Sequence, residues 1–292
     1  MLPLHQQWVQ VLNLTLVHNK KSGCLIPDFF IKIPIEIHVT ICYNFNKEKQ
    51  MRNIFLTSDI GAQRKINGKK VICATDNTYG LVDQIKSVLK AGNFVFIASS
   101  PDAHEINEIY AKNVARSLRM AGVPLEKEIV VDDRNADKIA EILKNASFVF
   151  LAGGYPPSQI DFIQKFGIDK ALQNFDGVVV GQSAGAMNLS KLVYNYPEEI
   201  EEIGDKKFWE GIGLADITII PHFDLEEGNP GVEGIDLIND YFLPDSHKCV
   251  LYGIPNGSHV WFKNSNPEFF GPCYMLKNGK ILDLKKTIDL EK

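Results

Sequence analysis

The 292-residue chain contains no Cys-x-x-Cys pair. Its five cysteines, Cys24, Cys42, Cys73, Cys249 and Cys273, are odd in number and widely spaced, so buried or incidental thiols in a reducing cytosol are expected, ahead of a metal site. No apolar run approaches the roughly 20 residues of a membrane-spanning helix. Gln6, Gln7, Gln10 and Asn13 interrupt the apolar N-terminus, so no secretory signal is expected and a cytoplasmic location is. Basic stripes are also missing. The 31 Lys and Arg are scattered among 36 Asp and Glu, for a formal charge of −5, which argues against nucleic acid or an anionic membrane as partner. Internal repeats and low-complexity segments are absent.

What remains is an ordinary globular composition, 45% hydrophobic and 23% charged. The length allows one large α/β domain or two small ones. Residues 1–50 stand apart from the rest. Their first thirty show no sustained period, and FIKIPIEIHVTICYNF then alternates like an exposed strand, weakened by Pro34. At Met51 the pattern changes abruptly to MRNIFLTSDIG, a buried strand followed by a glycine loop. The compact domain is therefore expected over residues 51–292, with 1–50 as an extension of undefined order, or the product of an upstream start codon.

From Met51 onward short apolar strands alternate with helical stretches. Strands are expected at NIFLTS, NFVFIAS, KEIVVD, SFVFLAGG and VVVGQS, and helices near 79–91, over 103–121 and from Ala136 to Lys144. The 103–121 helix presents Ile106, Ile109, Tyr110, Asn113, Val114, Ser117 and Leu118 at helical spacing. Runs as continuously apolar as VFIA, FVFLA and VVV need both faces covered, which predicts an α/β fold with a mostly parallel sheet between helix layers. Beyond residue 212 the chain is richer in β, ending in a hairpin with Asn278-Gly279 at its tip.

Within this frame GQSAG, Gly181 to Gly185, fits the G-x-S-x-G pattern. A nucleophile on a sharp strand-to-helix turn sits in a strained backbone and needs small neighbours, and Ala184, Gly185 and Ala186 follow. The helix that begins there aims its amides at developing negative charge. Ser183 is thus a candidate nucleophile, the alternative being a structural glycine turn. The loop LAGGYPPSQ ends the preceding strand. Amides at Gly153, Gly154 or Tyr155 could complete an oxyanion hole with that of Ala184, unless the loop is merely a tight turn.

A serine nucleophile needs a base. Of seven histidines, His5, His18 and His38 lie in the extension, His104 opens a surface helix, His247 sits in a polar turn and His259 lies in a late strand. His222, in TIIPHFD at the end of an apolar strand, is the candidate base. Glu198, Asp224 and Asn256 are candidates to orient it.

AGGYPPSQ, GQSAGAMNL, GIGLADITIIPHFD and LYGIPNGS, in this order and spacing, resemble the dipeptidase E (aspartyl dipeptidase) and cyanophycinase family of serine peptidases. The resemblance covers Met51 to the C-terminus. It implies a class I glutamine amidotransferase-like, flavodoxin-like fold, with Ser183 as nucleophile, His222 as base, and the amides of Gly154 and Ala184 as oxyanion donors. The family's acidic triad member aligns with Asn256 in Ile254-Pro255-Asn256-Gly257, where this chain carries an amide; Glu198 is the other residue that could take the acidic role. The resemblance further implies hydrolysis of short peptides through an acyl-enzyme, with no metal or cofactor. The loop KLVYNYPEEIEEIGDKKFW departs from a strict aspartyl dipeptidase, so specificity for an N-terminal aspartate is not expected. Serine at the elbow argues against a glutamine amidotransferase, which uses cysteine. A catalytically weakened binding or regulatory protein is the alternative that Asn256 keeps open.

Overall fold

Five strands in the chain carry large apolar side chains on both faces, and such strands are stable only when both faces are covered. The computed structural model describes residues 52–204, 206–226, 232, 234–263 and 265–285, and in it these strands form the parallel part of one sheet. They are β1 (Asn53–Thr57), β4 (Asn93–Ile97), β5 (Glu128–Val131), β6 (Ala146–Leu151) and β7 (Val178–Gln182). Side chains alternate between the faces at period two. On one face Phe55, Phe94, Phe96, Phe148, Phe150, Val178 and Val180 pack against helices α1 (Leu81–Val88) and α2 (His104–Met120). On the other, Ile54, Leu56, Val95, Ile97, Val149, Leu151 and Val179 meet α3 (Ile139–Ile142), α4 (Pro156–Lys165), α5 (Ile168–Leu172) and α6 (Ala184–Leu189). The result is a flavodoxin-like three-layer sandwich.

The seven-stranded sheet runs β13-β12-β1-β7-β6-β4-β5, with β12 (His259–Lys263) and β13 (Asn266–Phe270) added antiparallel at one edge. The chain also divides into two units, Met1–Phe45 and Asn46–Lys292, and every described residue belongs to the second. The expected alternating segment of the extension, with Pro34, Cys24, Cys42, His5, His18 and His38, lies outside the described residues. No helix among the described residues is long and apolar enough to cross a membrane.

Two details differ from the sequence reading. Ile106 and Ile109 are exposed and Tyr110 and Asn113 half-buried, while Val114, Ser117 and Leu118 are buried as expected, together with Asn107, Ala111 and Ala115. The opposing sheet face is built of phenylalanines, so close packing requires small residues on the helix. Two hairpins and an edge strand were also not anticipated. They are β2 (Gln63–Ile66) with β3 (Lys69–Ile72), β8 (Leu192–Tyr194) with β9 (Phe208–Glu210), and β13. The late β-rich region forms a second sheet, β10-β11-β14-β15, from Thr218–Pro221, Leu251–Ile254, Tyr274–Lys277 and Lys280–Asp283. Asn278 and Gly279 turn its last hairpin with φ of 51° and 71°, as the Asn-Gly pair predicts.

Adjacent strands β4 and β6 send their following helices to opposite faces, α2 to one and α4 to the other. That is a topological switch point, where the loops at the carboxyl ends of the strands part and leave a crevice. The loops after β1, β4, β6 and β7 all lie at this end.

Candidate active site

Ser183 sits between β7 and α6 with φ 50° and ψ −117°, a conformation that costs a non-glycine residue on the order of 1–3 kcal/mol. The two glycines of GQSAG make the turn possible. A Cβ on Gly181 would stand 2.6 Å from the Ala186 backbone, and one on Gly185 2.3 Å from Leu151 O. The helix therefore presses directly onto the strands, holding Ser183 at the sheet's rim. Ala184 is the first residue of α6, so its N–H has no acceptor within the helix.

The Gly153–Gly154 loop follows β6, next to β7. A Cβ on Gly153 would lie 3.3 Å from the Ser183 Cβ, so the loop touches the serine. Ser99, after β4 on the opposite flank, donates its hydroxyl to Gly153 O at 2.7 Å. In a trans peptide the C=O and the following N–H point in opposite directions. With Gly153 O turned toward Ser99, the Gly154 N–H is turned away from it. Gly154 has φ 150°, and a Cβ there would come within 2.4 Å of the Ser99 hydroxyl, so glycine is required.

Histidine 222 follows β10 in a left-handed conformation, φ 54°, and its ring is exposed. Its Nδ1 lies 2.7 Å from Asn256 Oδ1. An amide oxygen can only accept, so Nδ1 carries the proton and Nε2 keeps its lone pair for a proton from elsewhere. Glu198 is exposed by surface area, yet enough protein surrounds its carboxyl that burial raises its pKa, while the nearby His222 pulls the other way. Asp224, the third candidate, accepts from Glu226 N at 2.9 Å.

Backbone bonds knit these three loops together. Ser183 N donates to Thr57 O at 2.9 Å, and the next residue, Ser58, donates its hydroxyl to Ile254 O at 2.5 Å. That same carbonyl, two residues before Asn256, accepts from Phe223 N at 3.2 Å, one residue after His222. Helix α6 also packs against β10. The arrangement can support proton transfer from a serine and hydrogen bonding to an oxyanion.

A family model described as Peptidase family S51 matches residues 74–269, two thirds of the chain. The chain belongs to peptidase family S51. It is thus a serine peptidase of the dipeptidase E family, as the motifs implied. A peptidase from an acI-B1 Actinobacterium shares the fold, with a TM-score of 0.56 at 18% identity over 81% of this chain and 95% of that one. A candidate peptidase E protein from Listeria monocytogenes is similar too, with a TM-score of 0.50 at 16% identity over 75% of this chain and 98% of that one. No curated protein matches.

Several further residues shape this region, two of them inside the quoted motifs AGGYPPSQ and GQSAGAMNL but given no role there. Gln159, fully buried, donates to Ala152 O at 3.0 Å and accepts from Asn188 Nδ2 at 3.1 Å, while Asn188 also donates to Pro156 O at 3.0 Å. This amide pair fastens the Gly153–Gly154 loop to α6. A polar residue inside the apolar stripe of each helix was the available clue. Tyr196 donates to Pro221 O at 3.3 Å, tying the Glu198 loop to the strand before His222. Buried Asp245 anchors the β8–β9 hairpin through Tyr194 at 3.0 Å and Lys207 at 2.8 Å and also accepts from nearby Lys248 at 2.7 Å; burial pushes its carboxyl up, but these partners hold it below the usual range. A cavity of about 840 Å³ lies between Tyr155 and the β8–β9 hairpin, lined also by Asn195 and Trp209. Among the described residues His104, Asp132 and Asp133 have metal-ligand spacing, but Arg134 already occupies the Asp132 carboxylate at 2.7 Å, which suits an ion pair better than a cation site.

Proposed function

We propose that residues 51–292 form a peptidase domain that hydrolyses short peptides through an acyl-enzyme on Ser183. The Ser183 hydroxyl attacks the scissile carbonyl carbon as its proton passes to His222 Nε2. The carbonyl oxygen, now an alkoxide, lies against the amides of Gly154 and Ala184. When the C–N bond breaks, His222 returns the proton to the leaving amine. Water then repeats the sequence at the ester carbon, giving its proton to His222 and releasing the acid and free Ser183. No other reactant is needed.

Asn256 holds the imidazole in the tautomer this cycle requires. As a neutral amide it stabilises the transient imidazolium less than a carboxylate would. The observation that carries the reading is the strained Ser183 backbone at a glycine-tight elbow, whose helix packs against the strand that ends at the Asn256-bonded His222. A positioned base contributes about 10²–10⁴-fold and each oxyanion donor about 10²–10³-fold, enough for slow but real turnover with a softened triad. A fluorophosphonate probe tests it: labelling should map to Ser183 and vanish in Ser183→Ala. Labelling that persists in that variant would rule the assignment out.

A further inference from the structure

The β2–β3 hairpin forms a two-stranded sheet of its own, and its sequence QRKINGKKVI places four cations and no acid in a chain whose formal charge is −5. Its register separates two faces. Arg64 pairs with Val71 and Ile66 with Lys69, so these four side chains share one face. Gln63 and Lys70, on the other face, line a recess against Tyr110 and Asn113 of α2. The Arg64 face therefore points away from α2, with Ile66 52% and Val71 40% exposed. A two-stranded hairpin is marginal by itself in water, and this one leaves half of its apolar side chains uncovered.

A second exposed segment has the opposite charge. Glu199-Ile200-Glu201-Glu202-Ile203 follows β8 and makes a single 3-10 turn at Ile200–Glu202. Ile200 is 65% and Ile203 48% exposed. The lysines that come next in this loop are engaged elsewhere: Lys206 lines the cavity beside Tyr155, and Lys207 is held by Asp245 at 2.8 Å. Among the described residues, neither the four hairpin cations nor the three glutamates of this turn have an ion-pair partner within 4.0 Å.

We propose that the hairpin face of Arg64, Ile66, Lys69 and Val71 docks on the Glu199–Ile203 turn of a second copy of this chain. Opposite charges then meet at the rim while the isoleucines and Val71 leave water together. Each copy carries both halves, so a twofold dimer makes the contact twice. Edge-to-edge pairing of two hairpins is disfavoured, because Lys65, Lys69 and Lys70 would bring like charges together. Residues 1–50 carry five lysines against three acids, so their charge does not complement the hairpin. The docking does not depend on the Ser183 chemistry. It does seat the cations of one copy on the loop that carries Glu198 in the other.

Sedimentation equilibrium of the full chain, from micromolar to millimolar protein, is the test. A small contact made twice predicts a dissociation constant of about 10⁻⁵–10⁻⁴ M at about 50 mM salt, weakened roughly tenfold or more at about 500 mM. The double variants Arg64→Glu with Lys69→Glu, and Glu199→Lys with Glu201→Lys, should each associate roughly 10- to 100-fold more weakly. Mixed one to one, the two variants should dimerise again, because the reversed hairpin meets the reversed turn and the two native halves meet each other. That rescue separates complementarity from any loss of folding. A wild type that stays monomeric at low salt, or association indifferent to either reversal, overturns the docking, as does a mixture of the folded variants that stays monomeric. So does a monomer whose hairpin charges instead set its retention on heparin, which would assign the hairpin to a polyanion.

Discussion

Replacing Ser99 with alanine deletes the hydroxyl that donates to Gly153 O at 2.7 Å, and with it the constraint on the Gly153–Gly154 peptide plane. Ser99 would contact no substrate atom; it acts through the direction of the Gly154 N–H. A neutral hydrogen bond contributes about 0.5–1.5 kcal/mol net. If all of it is felt in the transition state, kcat falls by about 2- to 12-fold. Complete loss of one oxyanion donor, about 10²–10³-fold, sets the upper bound. We predict a fall of about tenfold in kcat with KM changed less than twofold, because the donor meets the oxyanion and not the ground-state carbonyl. Gly154→Ala should be worse, since its Cβ would stand 2.4 Å from the same hydroxyl and must also adopt φ 150°. The assay is steady-state kinetics on any short peptide that the wild type cleaves. An unchanged kcat in Ser99→Ala, or a loss confined to KM, would refute the reasoning.

Asn256→Ala should lower kcat by roughly 10- to 100-fold, whereas Asn256→Asp should raise it above wild type, about threefold, because a carboxylate stabilises the imidazolium; an aspartate variant slower than the alanine variant contradicts the orienting role. Burial pushes the His259 imidazole down to about 4, where its ring stacks on Phe270 at 5.0 Å. Between that value and the ordinary 6.5 the unfolded chain binds a proton that the folded chain does not, so stability falls by up to about 3 kcal/mol as pH drops from 7 to 4. Urea midpoints across this range should show a shallower slope in His259→Phe, and an identical slope would count against it. Deleting residues 1–50 should leave folding and activity intact; an unfolded or inactive product would show that the peptidase domain extends into that segment.

Much of the fold was legible because its signal is local. Continuous apolar strands announced the covered sheet, and Asn278-Gly279 announced its hairpin. Asn67-Gly68 carries the same signal and turns β2 into β3 with φ of 50° and 77°, but its flanking strands are short and mostly exposed, so no apolar alternation marks them. The stripe of α2 held at Val114, Ser117 and Leu118 but failed at Ile106 and Ile109, because helix periodicity alone cannot know that the facing sheet is filled with phenylalanine. In the site, GQSAG and PHFD were readable from glycine spacing and strand context. The roles of Ser99, Gln159 and Asn188 were not, although the last two stand in the quoted motifs, because their partners are carbonyls and amides made adjacent only by folding, 54 residues apart for Ser99 and Gly153. The choice among Asn256, Glu198 and Asp224 was likewise left open by sequence. Asn256 lies 2.7 Å from Nδ1, while the charge of His222 reaches the Glu198 carboxyl and opposes the upward effect of its burial.

The most direct test of the Ser183 mechanism is peptide mapping after fluorophosphonate treatment of the wild type, Ser183→Ala and His222→Ala. A single adduct on Ser183 in the wild type, absent from Ser183→Ala and formed at least tenfold more slowly in His222→Ala, is the predicted result. An adduct on any other serine that persists in Ser183→Ala, or a rate indifferent to His222, would contradict it.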